Sequence, residues 1–343
     1  MDLPFPYALF LGDADPLTAK TATGIAHWRP ERCVAQVVLP GCSVDLRLPT
    51  LSAAGAAEAG ARLLIVGVAD FGGKIAERWV PTLLAALESD LDVASGLHQR
   101  LADIPALAQA AGRLGRHLFD IRQPLPEQIP IANGRKRSGK RLLTVGTDCA
   151  VGKMFASLAV ERALRRRGVA ASFRATGQTG IFIAGSGVSV DAVVSDFVAG
   201  AAEALSPANE ADHWDIIEGQ GSLHHPAYAG VTLGLIHGSQ PDALVLCHSI
   251  ERDHIDGCPA YPTPTLERAI EDNERAARLT NPQAQVIGVS VNTSRATEKN
   301  AREYLAQIET ALGLPCCDPV RTGVDSIVDR LCALHKIEAR QWT

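Results

Sequence analysis

The sequence predicts an α/β protein made of two parallel-sheet domains in tandem, and three observations carry that expectation. Short apolar runs alternate with segments of helical spacing along most of the 343 residues, the pattern of parallel strands joined by helical crossovers. The alternation stops at 123–140, where Pro124, Pro126, Pro130 and the pair Asn133-Gly134 interrupt any period. Directly after this break, 142–154 reads as a buried strand, a glycine-bounded loop and the start of a helix. The predicted organisation is a first domain at 1–122, a linker at 123–140 and a second domain at 141–343.

In the first domain, strands are expected at 7–11, 33–39 and 63–68, with shorter ones at 93–95 and 117–121. Helices are expected at 18–28, 75–87 and 104–114. In the second of these, Ala76, Val80, Leu83, Leu84 and Leu87 recur on one face. Gly12-Asp13-Ala14-Asp15 follows the first strand, but there is no G-x-G-x-x-G, so a dinucleotide site is not supported. The loop 13–24, with Lys20, still occupies a strand's C-terminal end, where open α/β sheets meet ligands. A scaffold or oligomer-forming role is the simpler reading of this domain.

The linker ends in Arg135-Lys136-Arg137 and Lys140-Arg141. A short basic run of this kind is commonly a solvated surface; here it is expected to add positive potential near a phosphate-binding mouth. That mouth is the loop in which Gly146 and Gly152 bracket Thr147, Asp148, Cys149, Ala150 and Val151, with Lys153 opening a helix. Backbone N–H groups and the positive helix end face an anion in such a loop, and the lysine adds a mobile charge. Two features depart from the usual motif. Five residues rather than four separate the glycines, and Met154 stands where a Ser or Thr hydroxyl would hold Mg²⁺. A thioether does not hold a hard cation, so the loop is expected to bind phosphates without metal-assisted nucleotide hydrolysis.

Beyond the cradle, a strand is expected at 169–175 and a helix at 190–200 carrying Asp191 and Asp196. The apolar run 214–217 ends in Glu218-Gly219-Gln220-Gly221, where phosphate-binding α/β folds put a second acidic element beside the cradle. Further strands are expected at 243–247 and 285–291. Asn292, after the last of them, occupies a position from which nucleotide-binding domains contact a base edge. Helices at 298–312 and 324–334 close the pattern.

A net charge of −5 argues against a general nucleic-acid binder. No apolar stretch reaches membrane-spanning length, and Met1-Asp2-Leu3-Pro4 lacks the basic and apolar regions of a signal peptide. The eight cysteines form no Cys-x-x-Cys pair, which suits reduced thiols, and the expected location is cytoplasmic. Cys247, His248, His254 and Cys258 follow no common zinc spacing, so no metal is expected.

Six segments carry a resemblance over nearly the whole chain, densest from 142 to 320. They are 146–154 (GTDCAVGKM), 175–181 (ATGQTGI), Asp196-Phe197-Val198, 218–223 (EGQGSL), 225–228 (HPAY) and 238–248 (GSQPDALVLCH). Together they resemble a two-domain family that includes D-glutamate N-acetyltransferase; the cradle spacing also resembles the dethiobiotin-synthetase branch of P-loop folds. In the first domain the matching piece is 15–24. The resemblance implies a Rossmann-like N-terminal domain, a P-loop NTPase-fold C-terminal domain, and acetyl transfer from acetyl-CoA to the amine of D-glutamate. CoA carries a pyrophosphate and a 3′-phosphate, which the cradle suits.

Acetyl transfer needs a neutral amine, a donor for the developing oxyanion, and cations for two substrate carboxylates. Glu218, His224 and His225 are the candidate bases, and backbone N–H groups around 219–222 the candidate oxyanion donors. Arg174, Arg252 and Lys20 are the candidate carboxylate partners, with Gln178 of the 175–181 motif beside them. Residues Gly146 to Met154 and Asn292 are expected to hold the co-substrate, with Cys149 as loop filler rather than nucleophile. The partners expected are small molecules and further copies of the chain. An ATP-dependent ligase or kinase, or a nucleotide-gated switch, are the alternatives.

Overall fold

The apolar runs of the first domain become a parallel sheet. In the computed structural model, which describes residues 3–16, 18–68, 72–250 and 252–337, the elements follow in order β1 (Tyr7–Gly12), α1 (Lys20–Trp28), β2 (Cys33–Val38), α2 (Ala53–Glu58), β3 (Leu63–Val66), α3 (Val80–Glu88), β4 (Asp92–Ser95), α4 (Pro105–Leu114) and β5 (Leu118–Asp120). The sheet runs β2-β1-β3-β4-β5, all parallel. β1 and β3 are buried along their whole length, as central strands covered on both faces must be. The strand order reverses between β1 and β3, a topological switch point. Helix α3 starts later than its periodicity suggests, because a 3₁₀ turn at Glu77–Trp79 precedes it and Pro81 sits in its first turn. The short α2 has no large apolar residue to signal it; Ser52 Oγ caps it by accepting the Gly55 N–H at 3.0 Å.

The second half continues with β6 (Lys140–Gly146), α5 (Lys153–Arg166), β7 (Ala171–Arg174), α6 (Gln178–Ala184), α7 (Val198–Leu205), β8 (Trp214–Ile217), α8 (Ala229–Ser239), β9 (Ala243–Ser249), β10 (His254–Ile255), β11 (Cys258–Pro262), α9 (Leu266–Arg278), β12 (Gln285–Asn292), α10 (Glu298–Leu312), β13 (Cys316–Cys317) and α11 (Asp325–His335). Its six-stranded sheet runs β13-β12-β9-β6-β8-β7, with β10 and β11 a separate antiparallel hairpin. The six strands pair in parallel throughout. Both sheets thus belong to the expected α/β class. Among the described residues no helix is long and apolar enough to cross a membrane.

The chain divides into two units, Met1–Pro124 with Gln178–Ala192, and Leu125–Gly177 with Val193–Thr343. Residues 178–192 therefore leave the second sheet's unit and pack within the first. Thr179 Oγ1 lies 3.1 Å from Thr21 Oγ1, and the Ile183 carbonyl accepts from Arg29 Nε at 3.1 Å.

Two expectations are corrected here. No single helix spans 190–200: Val190–Ala192 and Ser195–Phe197 are separate 3₁₀ turns, and α7 begins only at Val198. Val194, one of two adjacent β-branched residues, is extended at φ −59° and ψ 138°. Asp191 and Asp196 therefore share no helical face. Secondly, the basic run does not reach the glycine–lysine loop. Arg141 stands near the start of β6 and the cradle follows its end, about 17 Å further along the strand. Arg141 is buried and donates to Ser206 Oγ and to the carbonyls of Arg137, Ser138, Gly139 and Pro207. Those bonds tie down the incoming segment instead of projecting charge.

Candidate active site

The cradle forms because β6 runs straight into a loop that folds back on its own lysine. Lys153, the first residue of α5, is buried, and its Nζ donates to the Asp148 carbonyl at 2.8 Å. A Cβ at Gly146 would meet that carbonyl oxygen at 2.9 Å and Lys153 Nζ at 3.1 Å, so the ring closes only around glycine. Gly152 adopts φ +98°, a left-handed conformation that glycine takes without strain. Burial lowers the Lys153 pKa, opposed by the nearby Cys149, Cys247, Asp148 and Glu218.

Glu218 follows β8 and is pinned beside the cradle through the next residue. Gly219 N–H donates to Thr144 Oγ1 of β6 at 2.9 Å. A Cβ at 219 would lie 1.7 Å from the Thr144 carbonyl oxygen and 3.1 Å from Lys153 Cδ, so the strand end approaches the lysine this closely only as glycine. The Glu218 carboxylate is buried, and its Oε2 accepts from the Thr176 and Gly177 N–H groups at 2.9 and 3.1 Å. Sequence reading missed these two donors; the tripeptide Thr176-Gly177-Gln178 at the end of β7 was their signal.

Asp148 is the loop's organiser. Fully buried, it accepts from Cys149 N–H at 2.6 Å, from Arg252 Nη1 at 2.7 Å and from Asp256 N–H at 2.8 Å. One carboxylate thereby ties the cradle to the β9–β10 connection. Arg252 is thus an ion-pair partner of the cradle before it meets any substrate. Its Nη1 is used, while Nε and Nη2 have no partner among the described residues.

The histidines separate. His225 is buried; Nδ1 accepts from Ala227 N–H at 3.1 Å, which makes Nε2 the protonated nitrogen and directs it to the Asp256 carbonyl at 3.2 Å. Its ring and the Asp148 and Cys149 side chains bring ligating atoms within 4.8 Å of one another, but the Asp148 and His225 atoms are already hydrogen-bonded. His224 instead turns toward α9, with Nε2 3.9 Å from Asp272 Oδ2, and burial lowers its pKa. His248, which the sequence suggested only for a poor metal set, lies at the cradle: its Nδ1 is 3.0 Å from Thr147 Oγ1. Burial and then the Arg252 charge push its pKa down to about 4. Burial also raises the Cys149 thiol, which keeps it protonated and suits the loop-filler reading.

The remaining candidates are not gathered at the cradle by contacts of their own. Arg174 Nε donates to Asp215 Oδ1 at 2.8 Å, an acid that also accepts from Ser206 Oγ, the group held by Arg141. That pairing draws the guanidinium toward the strands' N-terminal ends, away from Glu218. Lys20 is exposed in the first turn of α1. Gln178 belongs to the first unit, its amide between the Gly96 carbonyl and Arg122 Nη2. Asn292, in contrast, borders a pocket of about 230 Å³ that begins at the cradle. Its walls are Val151, Gly152 and Phe155, then Ser290, Asn292 and Ser294, and finally the segment 318–320. Sequence reading missed that last segment, which Asp318-Pro319 after the two-residue β13 marks only faintly.

Residues 36–124 match a Rossmann-like domain of unknown function (DUF1611_N), and residues 130–328 match the P-loop domain of the same family (DUF1611_C). A protein of Tritonibacter scottomollicae named D-glutamate N-acetyltransferase is 51% identical over 330 residues, 96% of this chain and 99% of its own. A protein of the same name from a Pseudoalteromonas species is 48% identical over 333 residues, covering 97% and 100%. The crystal structure of a DUF1611 family protein from Anabaena variabilis superposes with a TM-score of 0.85 at 34% identity, covering 96% of this chain and all of that one. The chain belongs to this two-domain family, with a Rossmann-like N-terminal and a P-loop C-terminal domain.

Proposed function

We propose that this family member is an N-acetyltransferase that moves the acetyl group of acetyl-CoA to the amine of D-glutamate, in the cytoplasm and as a homo-oligomer. The observation that carries the reading is the near-full-length likeness, at about half identity, to two proteins named for that activity. The cradle supports it chemically. Its lysine and loop amides suit a pyrophosphate, and Met154 supplies no hydroxyl for Mg²⁺.

In the reaction the amine nitrogen attacks the thioester carbonyl carbon, the C–S bond breaks, and the CoA sulfur leaves with the electron pair. The proton lost by nitrogen goes to a base. Glu218 is our choice, since His225 has both ring nitrogens committed and His224 faces Asp272. Two backbone amides orient its carboxylate, as a positioned base requires. Gly219 N–H is taken by Thr144, which leaves the N–H groups of Gln220, Gly221 and Ser222 as the oxyanion donors we favour. Arg252, held at Nη1 by Asp148, has Nε and Nη2 to offer a substrate carboxylate.

The test is CoA release from acetyl-CoA with D-glutamate, L-glutamate and D-glutamine as acceptors. D-glutamate is expected to be preferred over D-glutamine, because a site with a paired cation rejects a neutral amide, and over L-glutamate, which with both carboxylates held turns its amine away from the thioester. Comparable kcat/KM for all three, or steady Mg²⁺–ATP hydrolysis without acetyl transfer, overturns the reading.

A further inference from the structure

Within that reading of acetyl-CoA as the donor, we propose that the pocket beside the cradle takes the adenine ring and that Arg295 binds the ribose 3′-phosphate. Arg295 thereby distinguishes CoA from other adenine nucleotides.

The pocket and the cradle share Gly152, and a Cβ on that glycine would lie 3.9 Å from Asn292 Cβ. A nucleotide whose pyrophosphate lies against the loop amides therefore has its base within reach of the pocket. Val151, Phe155, Pro319 and Val320 give the pocket an apolar lining, and Val320 stands 64% exposed, which a stacked ring would cover. Asn292 Oδ1 accepts the Ser294 N–H at 3.0 Å. This fixes the amide orientation and turns Nδ2, which has no partner among the described residues, into the donor for a ring nitrogen.

The walls are built to stay in place. Asp318 accepts from Thr293 N–H and Oγ1 through one oxygen, and from Val320 and Arg321 N–H through the other. Arg321 donates to the Thr293 and Ala296 carbonyls and pairs with Glu298. The loop 293–296 is thus held at both ends, and the Arg321 cation is already neutralised. Arg295 lies between Ser294, which lines the pocket, and Ala296, which is buried. It is exposed, and among the described residues it has neither hydrogen bond nor ion pair. A loop held at both ends thus carries an exposed, uncommitted guanidinium one residue along the chain from the lining of a base-sized slot. The chemical difference between CoA and ATP at that mouth is a phosphate on the 3′ oxygen, a doubly acceptor-rich anion that a guanidinium fork matches.

The experiment measures kcat/KM for acetyl-CoA and for 3′-dephospho-acetyl-CoA in the wild type, Arg295→Ala and Val320→Asp. Wild type is expected to prefer acetyl-CoA by about 10- to 100-fold. Arg295→Ala should bring the two donors within about threefold by lowering acetyl-CoA alone, while Val320→Asp, at unchanged thermal stability, should weaken both donors. No preference in wild type, or a preference that survives Arg295→Ala, overturns the phosphate assignment; unchanged donor kinetics in Val320→Asp overturn the base slot. If acetyl-CoA itself neither binds wild type in calorimetry nor donates acetyl, the failure lies in the underlying reading instead.

Discussion

The two ends of the second sheet both bury charge, and they treat it differently. At the strands' N-terminal ends, Arg141 makes hydrogen bonds to a hydroxyl and four carbonyls, while Asp215 accepts from Arg174 and Ser206. All three guanidinium nitrogens of Arg141 and both carboxylate oxygens of Asp215 are used by the protein. At the C-terminal ends, Lys153 is also buried, yet among the described residues its ammonium makes one hydrogen bond, to the Asp148 carbonyl. Arg252 is anchored through a single nitrogen. A buried charge satisfied by its own chain is architecture; one left short of partners is stabilised further by an anion that arrives.

Four substitutions test that contrast, and the largest effect belongs to Glu218. Glu218→Gln keeps an oxygen acceptor for Thr176 and Gly177 N–H while removing basicity. It should lower kcat by about 10²–10⁴ with little change in acetyl-CoA affinity. A folded variant with near-normal kcat would move Glu218 to the architectural side. Arg141→Met does the opposite: stability should fall by roughly 3–5 kcal/mol in urea, because Ser206 Oγ and four carbonyls lose their donor and buried Asp215 loses a neighbouring positive charge, while KM for acetyl-CoA stays unchanged. A shifted KM at full occupancy of the fold would erase the distinction between the two ends.

His248 links the contrast to pH. Its folded pKa near 4 lies below the ordinary 6.5, so between those values the unfolded chain binds the extra proton. The contribution is complete above about pH 6.5 and is lost as pH falls toward 4, roughly 3 kcal/mol in all. His248→Gln should flatten that part of the stability–pH curve; an unaltered slope assigns the acid loss to other groups. The smallest effect is expected at Lys153. Lys153→Met keeps the volume and removes the ammonium, weakening acetyl-CoA binding by roughly 1.5–3 kcal/mol without loss of thermal stability. A large fall in melting temperature with unchanged affinity would class Lys153 with Arg141.

Much of this was legible in the chain. The cradle could be read because a strand, its glycines and the lysine lie within thirteen consecutive residues. Turn chemistry and helix starts depend on such near neighbours. Glu218 was equally local, an acid between an apolar run and a glycine. The partners of charge were not legible. Arg252 reaches Asp148 across 104 positions and Arg174 reaches Asp215 across 41, and nothing in either arginine's neighbourhood says which acid will take it.

By itself, then, the sequence determined the α/β class, the glycine–lysine loop between β6 and α5 with Met154 behind its lysine, and the acid at the end of β8. The tertiary structure alone decided that 178–192 joins the first unit, that Asp148 engages Arg252, and that the base-sized pocket is assembled from 151–155, 290–294 and 318–320. The physical reason is range. Backbone conformation is set by neighbours a few residues away, whereas ion pairs and pocket walls are set by the order in which strands enter the sheet, which brings distant segments side by side.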